Sequence, residues 1–289
     1  MPMNICASAD HRLLTESALA QLRHDEGLAS LVRAMRAEDR SVAEQVQRLG
    51  VSSVHIACQR SMNALLESAC AESPATTLDP VEFAQAIYKL PRTPRTAPIR
   101  RIVREIARVY ARASTKGLPI PKRPDDFHAL WECAMEGEPR WSEKDFTPKF
   151  RASAARILKG QSLETVLQVC VDPADYETEL ARLLAFLQDE SLELEVRAAC
   201  GYALFEWIHP FVDGNGHVGR MLALSLLQDS YSLPTMVCFS SALVWGKLGT
   251  SCLFAPLRSG DGTLVDFCRG TLEQLHTEQA LAMEIVAEA

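Results

Sequence analysis

Large apolar residues return every three or four positions along most of this chain, and that regularity argues against a core built on a sheet. Leu13, Leu14, Leu19, Leu22, Leu28, Leu31, Val32, Met35, Val42, Val46 and Leu49 follow it over residues 12 to 48. Val54, Ile56, Ala57, Met62 and Leu65 continue it over 51 to 70. Such spacing puts the apolar side chains on one stripe of a helix. Residues 99 to 110 repeat it, with Arg100, Arg101, Arg104, Arg108 and Arg112 opposite, which reads as a solvated basic face. Further helices are expected from near Asp126, then at 175 to 189, 193 to 208, 216 to 229 and 263 to 284. One segment breaks the pattern. Thr165 to Val171 is rich in β-branched residues and runs into the turn signal Asp172-Pro173. The expectation is an all-α fold, a helical bundle with one short β-hairpin near 164 to 173.

Punctuation sets the organisation. Gly117, Pro119, Pro121 and Pro124 forbid a continuous helix through 114 to 126. We therefore expect an N-terminal helical region at 1–113, a linker at 114–125, a core at 126–276, and the end of the last helix at 277–289. The net charge of −7 argues against a general nucleic-acid binder. No run of 18 apolar residues offers a membrane span. The start, Met1-Pro2-Met3-Asn4, has no signal-peptide pattern. The nine cysteines are scattered with no C-x-x-C pair, as expected of reduced thiols in a cytoplasm.

Chemistry concentrates in residues 209 to 220, His-Pro-Phe-Val-Asp-Gly-Asn-Gly-His-Val-Gly-Arg. Pro210 disfavours helix at the residue before it, so His209 ends the preceding helix. Phe211 is a hydrophobic anchor for the loop. Asp213-Gly214-Asn215-Gly216 is a tight turn whose glycines permit positive φ and aim N–H groups into one concavity. A helix beginning near Gly216 directs its free N–H groups and dipole to the same place, an anion site suited to phosphate. Asp213 is a hard oxygen ligand for Mg²⁺ beside it. Arg220, one turn up, can grip a phosphate bidentately. A base, a metal carboxylate, an anion nest and a guanidinium within twelve residues equip a chain for phosphoryl or nucleotidyl transfer.

The string resembles the Fic-domain signature His-Pro-Phe-x-Asp/Glu-Gly-Asn-Gly-Arg-x-x-Arg. The match covers His209, Pro210, Phe211, Asp213, Gly214, Asn215, Gly216 and Arg220, and the resemblance extends by pattern over about 126 to 276. It implies a Fic-type helical bundle in which the hairpin is a flap positioning the target side chain. It also implies a protein adenylyltransferase. His209 would be the general base for a Ser, Thr or Tyr hydroxyl of a protein target. Gly214, Asn215, Gly216, His217 and Arg220 would hold ATP, and Asp213 would hold Mg²⁺. The glycine at 214 implies AMP as the transferred group.

Three positions depart from the family pattern. His217 stands where the first motif arginine is expected, and an imidazole is shorter and mostly neutral near pH 7. The family's inhibitory Ser/Thr-x-x-x-Glu helix has its best-placed match at Ser52 to Ala57, where Ile56 replaces the glutamate. Glu26-Gly27, with Leu22 in the Ser/Thr position, is a poorer match. Leu253-Phe254 replace a Tyr-Tyr pair near the base site. These departures leave a second reading open, a catalytically weak Fic-fold binding or regulatory module.

Overall fold

The computed structural model describes residues 13–51, 117–135, 149–153, 156–158, 166–245, 254 and 256–288. The expected helix at 52–57 and the basic-faced helix at 99–112 lie outside them. The helices are α1 (Glu16–His24), α2 (Glu26–Leu49), α3 (Asp126–Met135), α4 (Tyr176–Leu187), α5 (Leu194–Ile208), α6 (Asn215–Leu227), α7 (Leu233–Trp245) and α8 (Leu264–Glu288). The molecule is all-α in class, as the periodicity implies.

Local chemistry sets the helix ends. Thr15 caps α1 by accepting from the Ala18 amide at 3.1 Å. Asp25 both ends α1 and caps α2, accepting from the Leu28 amide at 2.9 Å. An oxygen acceptor here satisfies amides that have no partner within the helix.

The bundle is built around α5. Twelve of its fifteen residues are buried, so it reads as a helix enclosed on all sides rather than an amphipathic one. It packs against α4, α6 and α8. Helix α3 packs on α6, while α2 lies on α8 and α7. One apolar core runs from Leu22 in α1 through Val32 and Met35 in α2 to Ile285 and Val286 in α8.

Polar ties fix how the early helices dock. Glu195 is fully buried in the first turn of α5. A buried carboxylate costs several kcal/mol unless compensated. Here Arg36 of α2 donates to both its oxygens, at 2.7 and 2.8 Å, and the Tyr231 hydroxyl donates to Oε1. Burial beside that carboxylate pushes the Tyr231 hydroxyl far up. Gln279 of α8 donates to the Met35 carbonyl and to Thr235 Oγ1, each at 3.1 Å. Arg269 pairs with Asp25 at 2.5 Å. The described part of the expected linker is docked too. The Leu118 amide donates to Gln228 Oε1 at 2.6 Å, and Gln228 Nε2 donates to the Leu118 carbonyl at 3.0 Å.

A two-stranded antiparallel ribbon lies between α3 and α4. Strand β1 (Arg156–Leu158) pairs with β2 (Val166–Val169), with an irregularity at Ile157/Leu158. Only β2 falls within the expected span of 164 to 173. The chain from Pro173 to Asp175 is a 3-10 turn capped by Asp172, which accepts from the Ala174 amide. Three residues of Arg-Ile-Leu are too short to show a period-two pattern, which is why β1 is silent in the sequence. Among the described residues, no helix is long and apolar enough to cross a membrane.

Candidate active site

The site grows from the end of α5. The His209 amide donates to the Phe205 carbonyl at 2.9 Å, the last bond of the helix. His209 then takes φ 51° and ψ 55°, the one left-handed non-glycine residue among those described. That conformation costs an L-residue energy and persists only where surroundings enforce it.

Arg151 does the enforcing. Its Nε donates to the His209 carbonyl at 2.6 Å and its Nη2 to the Ile208 carbonyl at 3.3 Å. The same guanidinium reaches the Ser153 carbonyl through Nη1 and the Val171 carbonyl through Nη2, each at 2.8 Å. The Arg151 amide donates to the Pro210 carbonyl at 2.8 Å. A cation at a helix C-terminus also meets the negative end of the dipole. Phe150 forms a bridge with Phe211, so the strand-like stretch before the ribbon is joined to the loop itself.

Phe211 is 1% exposed and anchors the loop, its ring 5.0 Å from Phe150, 5.6 Å from His128 and 6.2 Å from Trp131. The Asn215 side chain faces inward. Its Oδ1 accepts from the Phe211 amide at 2.9 Å and its Nδ2 donates to the Phe211 carbonyl at 2.8 Å. Asn215 therefore braces the loop with its side chain. Trp131 Nε1 donates to the Asp213 carbonyl at 2.9 Å.

Gly214 takes φ 87°, and a Cβ there would lie 2.9 Å from Trp131 Nε1 and 3.0 Å from Met135 Sδ. Only glycine meets both demands. Helix α6 starts at Asn215 with no side-chain cap on its first turn, so its leading amides lack the partner that a capping side chain would supply. The Asp213 carboxylate is exposed and accepts from the Gly214 amide at 2.6 Å.

Arg220 is 3% exposed. Its Nη1 lies 3.2 Å from where a Cβ on Gly216 would stand, so the guanidinium folds back toward the start of its own helix. His217 is half-buried on the first turn of α6. His209 has a side chain one-quarter exposed. Its Nδ1 is buried and makes no hydrogen bond among the described residues, so the open edge of the ring carries Nε2.

A sequence profile of the Fic/DOC family matches residues 127–227, which include this whole constellation. Residues 127–227 are a Fic/DOC-family domain.

Two solved structures share the fold around this Fic domain. A Fic family protein from Desulfovibrio desulfuricans G20 is 19% identical, over 90% of this chain and 74% of that one, with a TM-score of 0.56. Fic-1 from C. elegans is 15% identical, over 94% of this chain and 75% of its own, with a TM-score of 0.50. At these identities the likeness is one of fold. No curated protein sequence matches the chain.

Three residues of the Fic domain or its surroundings escape a reading of the motif alone. Arg151 lies in a stretch without helical period, so no pattern marks it. Glu206 does carry a signal, an acid in an apolar helix one turn before His209. Arg258 sits over the Phe254 ring at 5.0 Å, and burial lowers its pKa while Glu206 opposes the shift. Phe254 is itself buried against Tyr202 and Phe267. Glu26, the poorer candidate for an inhibitory acid, is exposed in the first turn of α2 and makes no ion pair among the described residues.

Proposed function

We propose that the chain is a protein adenylyltransferase, moving AMP from ATP to a Ser, Thr or Tyr hydroxyl of a target protein. A Fic/DOC domain is machinery whose bearers commonly transfer AMP or other nucleotide groups to proteins. What supports the finer reading is a short stretch of chain that holds the outward Nε2 edge of His209, the leading α6 amides of 215 and 216 with no side-chain cap, and the inward-folded Arg220.

In this reading, the leading amides of α6 and the Arg220 guanidinium bind the phosphates and fix the α-phosphorus. His209 Nε2 takes the proton of the target hydroxyl as its oxygen attacks. The donor set fits a hard divalent cation. Asp213 offers an exposed carboxylate, one oxygen of which accepts from the Gly214 amide, and Mg²⁺ held there with the phosphates would offset their charge. The ribbon, joined through Arg151 to the base, would align the target segment. A cytoplasmic location fits the described cysteines, all five of which are buried thiols outside any disulfide.

Substitution of His217 for the motif arginine favours a second reading, a Fic-fold module with weak catalysis. Labelled ATP with Mg²⁺ separates the two. The wild type should label itself or a lysate protein. His209→Ala should abolish labelling, a loss of about 10²-fold or more, with nucleotide binding kept, since a base acts in the transition state. Full labelling in that variant would remove His209 as base.

A further inference from the structure

We propose that Glu206 is a positioning residue that holds the His209 imidazole in the Nδ1–H form. The inference rests on the reading of His209 as base.

Glu206 lies one turn before His209 on α5 and is 9% exposed. Its Oε2 is 3.7 Å from His209 Nδ1. Its Oε1 is 3.5 Å from the Cβ point on Gly216, where Arg220 Nη1 stands at 3.2 Å. The guanidinium of Arg258 feels its charge as well. One buried carboxylate therefore stands between the base and the phosphate clamp. His209 itself takes the left-handed conformation that ends α5.

A separation of 3.7 Å is just beyond hydrogen-bond length, and a small ring rotation closes it. Catalytic contacts of this kind commonly tighten when substrate binds. With Nδ1–H directed at the carboxylate, the lone pair sits on Nε2, the exposed nitrogen. The balance of the step is then simple. The hydroxyl proton moves to Nε2, and the oxygen pair forms the new bond to the α-phosphorus. The bond from that phosphorus to its bridging oxygen breaks, pyrophosphate leaves, and Nε2 later returns its proton to solvent. The imidazolium formed on the way faces a negative charge, as in any carboxylate-oriented histidine base.

The test pairs a spectroscopic readout with kinetics on the full chain. Ring-¹⁵N spectra of the wild type, assigned by difference with His209→Ala, should show neutral His209 with its proton on Nδ1. In Glu206→Leu the tautomer should shift toward Nε2–H. Glu206→Gln keeps an acceptor but loses the charge, so kcat for labelled ATP should fall about 10- to 100-fold while KM changes less than about twofold. Glu206→Asp should recover part of that loss. An Nε2–H wild type overturns the proposal, as does an unchanged tautomer in Glu206→Leu or a raised KM with kcat intact in Glu206→Gln. If Glu206→Leu fails to fold, the wild-type and Glu206→Gln measurements still decide. Should the wild type transfer no AMP at all, the function falls while the tautomer still judges Glu206.

Discussion

Arg151 Nε donates to the His209 carbonyl at 2.6 Å, across 58 positions of sequence. The same guanidinium bonds to Ser153 and Val171, on either side of the ribbon. His209 and the ribbon thus share one fastener. Arg151→Met should destabilise the fold by about 2–4 kcal/mol, because four buried or part-buried carbonyls lose a charged donor at once. The loss should appear in the urea midpoint, and transfer should fall further than stability explains. Arg151→Lys keeps the charge but not the fork, so it should recover stability only partly. A wild-type urea midpoint in Arg151→Met would refute this account.

Position 217 offers a gain-of-function test. Arginine there would add a permanent charge with several donors beside the start of α6. His217→Arg should tighten nucleotide binding about three- to tenfold, since a charge-assisted bond is worth roughly 1.5–3 kcal/mol before its costs. Equilibrium titration with ATP and Mg²⁺ reads it. Weaker binding would show that no phosphate reaches this turn.

Gly214 tests the shape of the nest. Gly214→Ala must bear φ 87° and place a methyl 2.9 Å from Trp131 Nε1. We expect a loss of about 1–3 kcal/mol in thermal unfolding and weaker nucleotide binding. An alanine variant with unchanged melting and binding would mean that the loop adopts another path.

Acid stability should depend on Asp189. The Ser191 hydroxyl and then Arg23 hold its carboxyl down at about 2 from the ordinary 3.8. A depressed folded-state value means the contribution is complete above about pH 4 and drains away as pH falls toward 2. The Thr263 hydroxyl and amide lower Asp266 in the same sense. Urea midpoints should therefore rise between pH 2.5 and 5, and Asp189→Asn should flatten part of that rise. An identical slope in the variant would exclude Asp189 as a contributor.

Most of the helices and the turn after α5 were legible because their signals are local. Pro210, Gly214 and the spacing to Arg220 encode the end of α5, the turn and the back-folded guanidinium within twelve residues. Phe211 was readable as an anchor for the same reason. Asn215 illustrates the limit, because its side chain turned inward to Phe211 and only the folded loop decides that. Arg151 and Arg258 were hidden because their partners lie far along the chain. Strand β1 was hidden by brevity. The buried Glu195 likewise gave no hint that Arg36 and Tyr231 would meet on it, since a lone acid in a first turn is commonplace.

The fold has a practical consequence for dissection. The stretch that carries the family pattern, 127 to 227, excludes α2 and α8, yet α8 lies directly on α5. Phe267, Cys268, Leu272 and Leu275 of α8 are all buried, and Gln279 reaches through to the Met35 carbonyl of α2. A fragment trimmed to the recognisable motif would present the walls of α5 bare to water, and bare apolar walls aggregate. The smallest autonomous unit that could be cut from this chain is therefore larger than the part by which it is recognised.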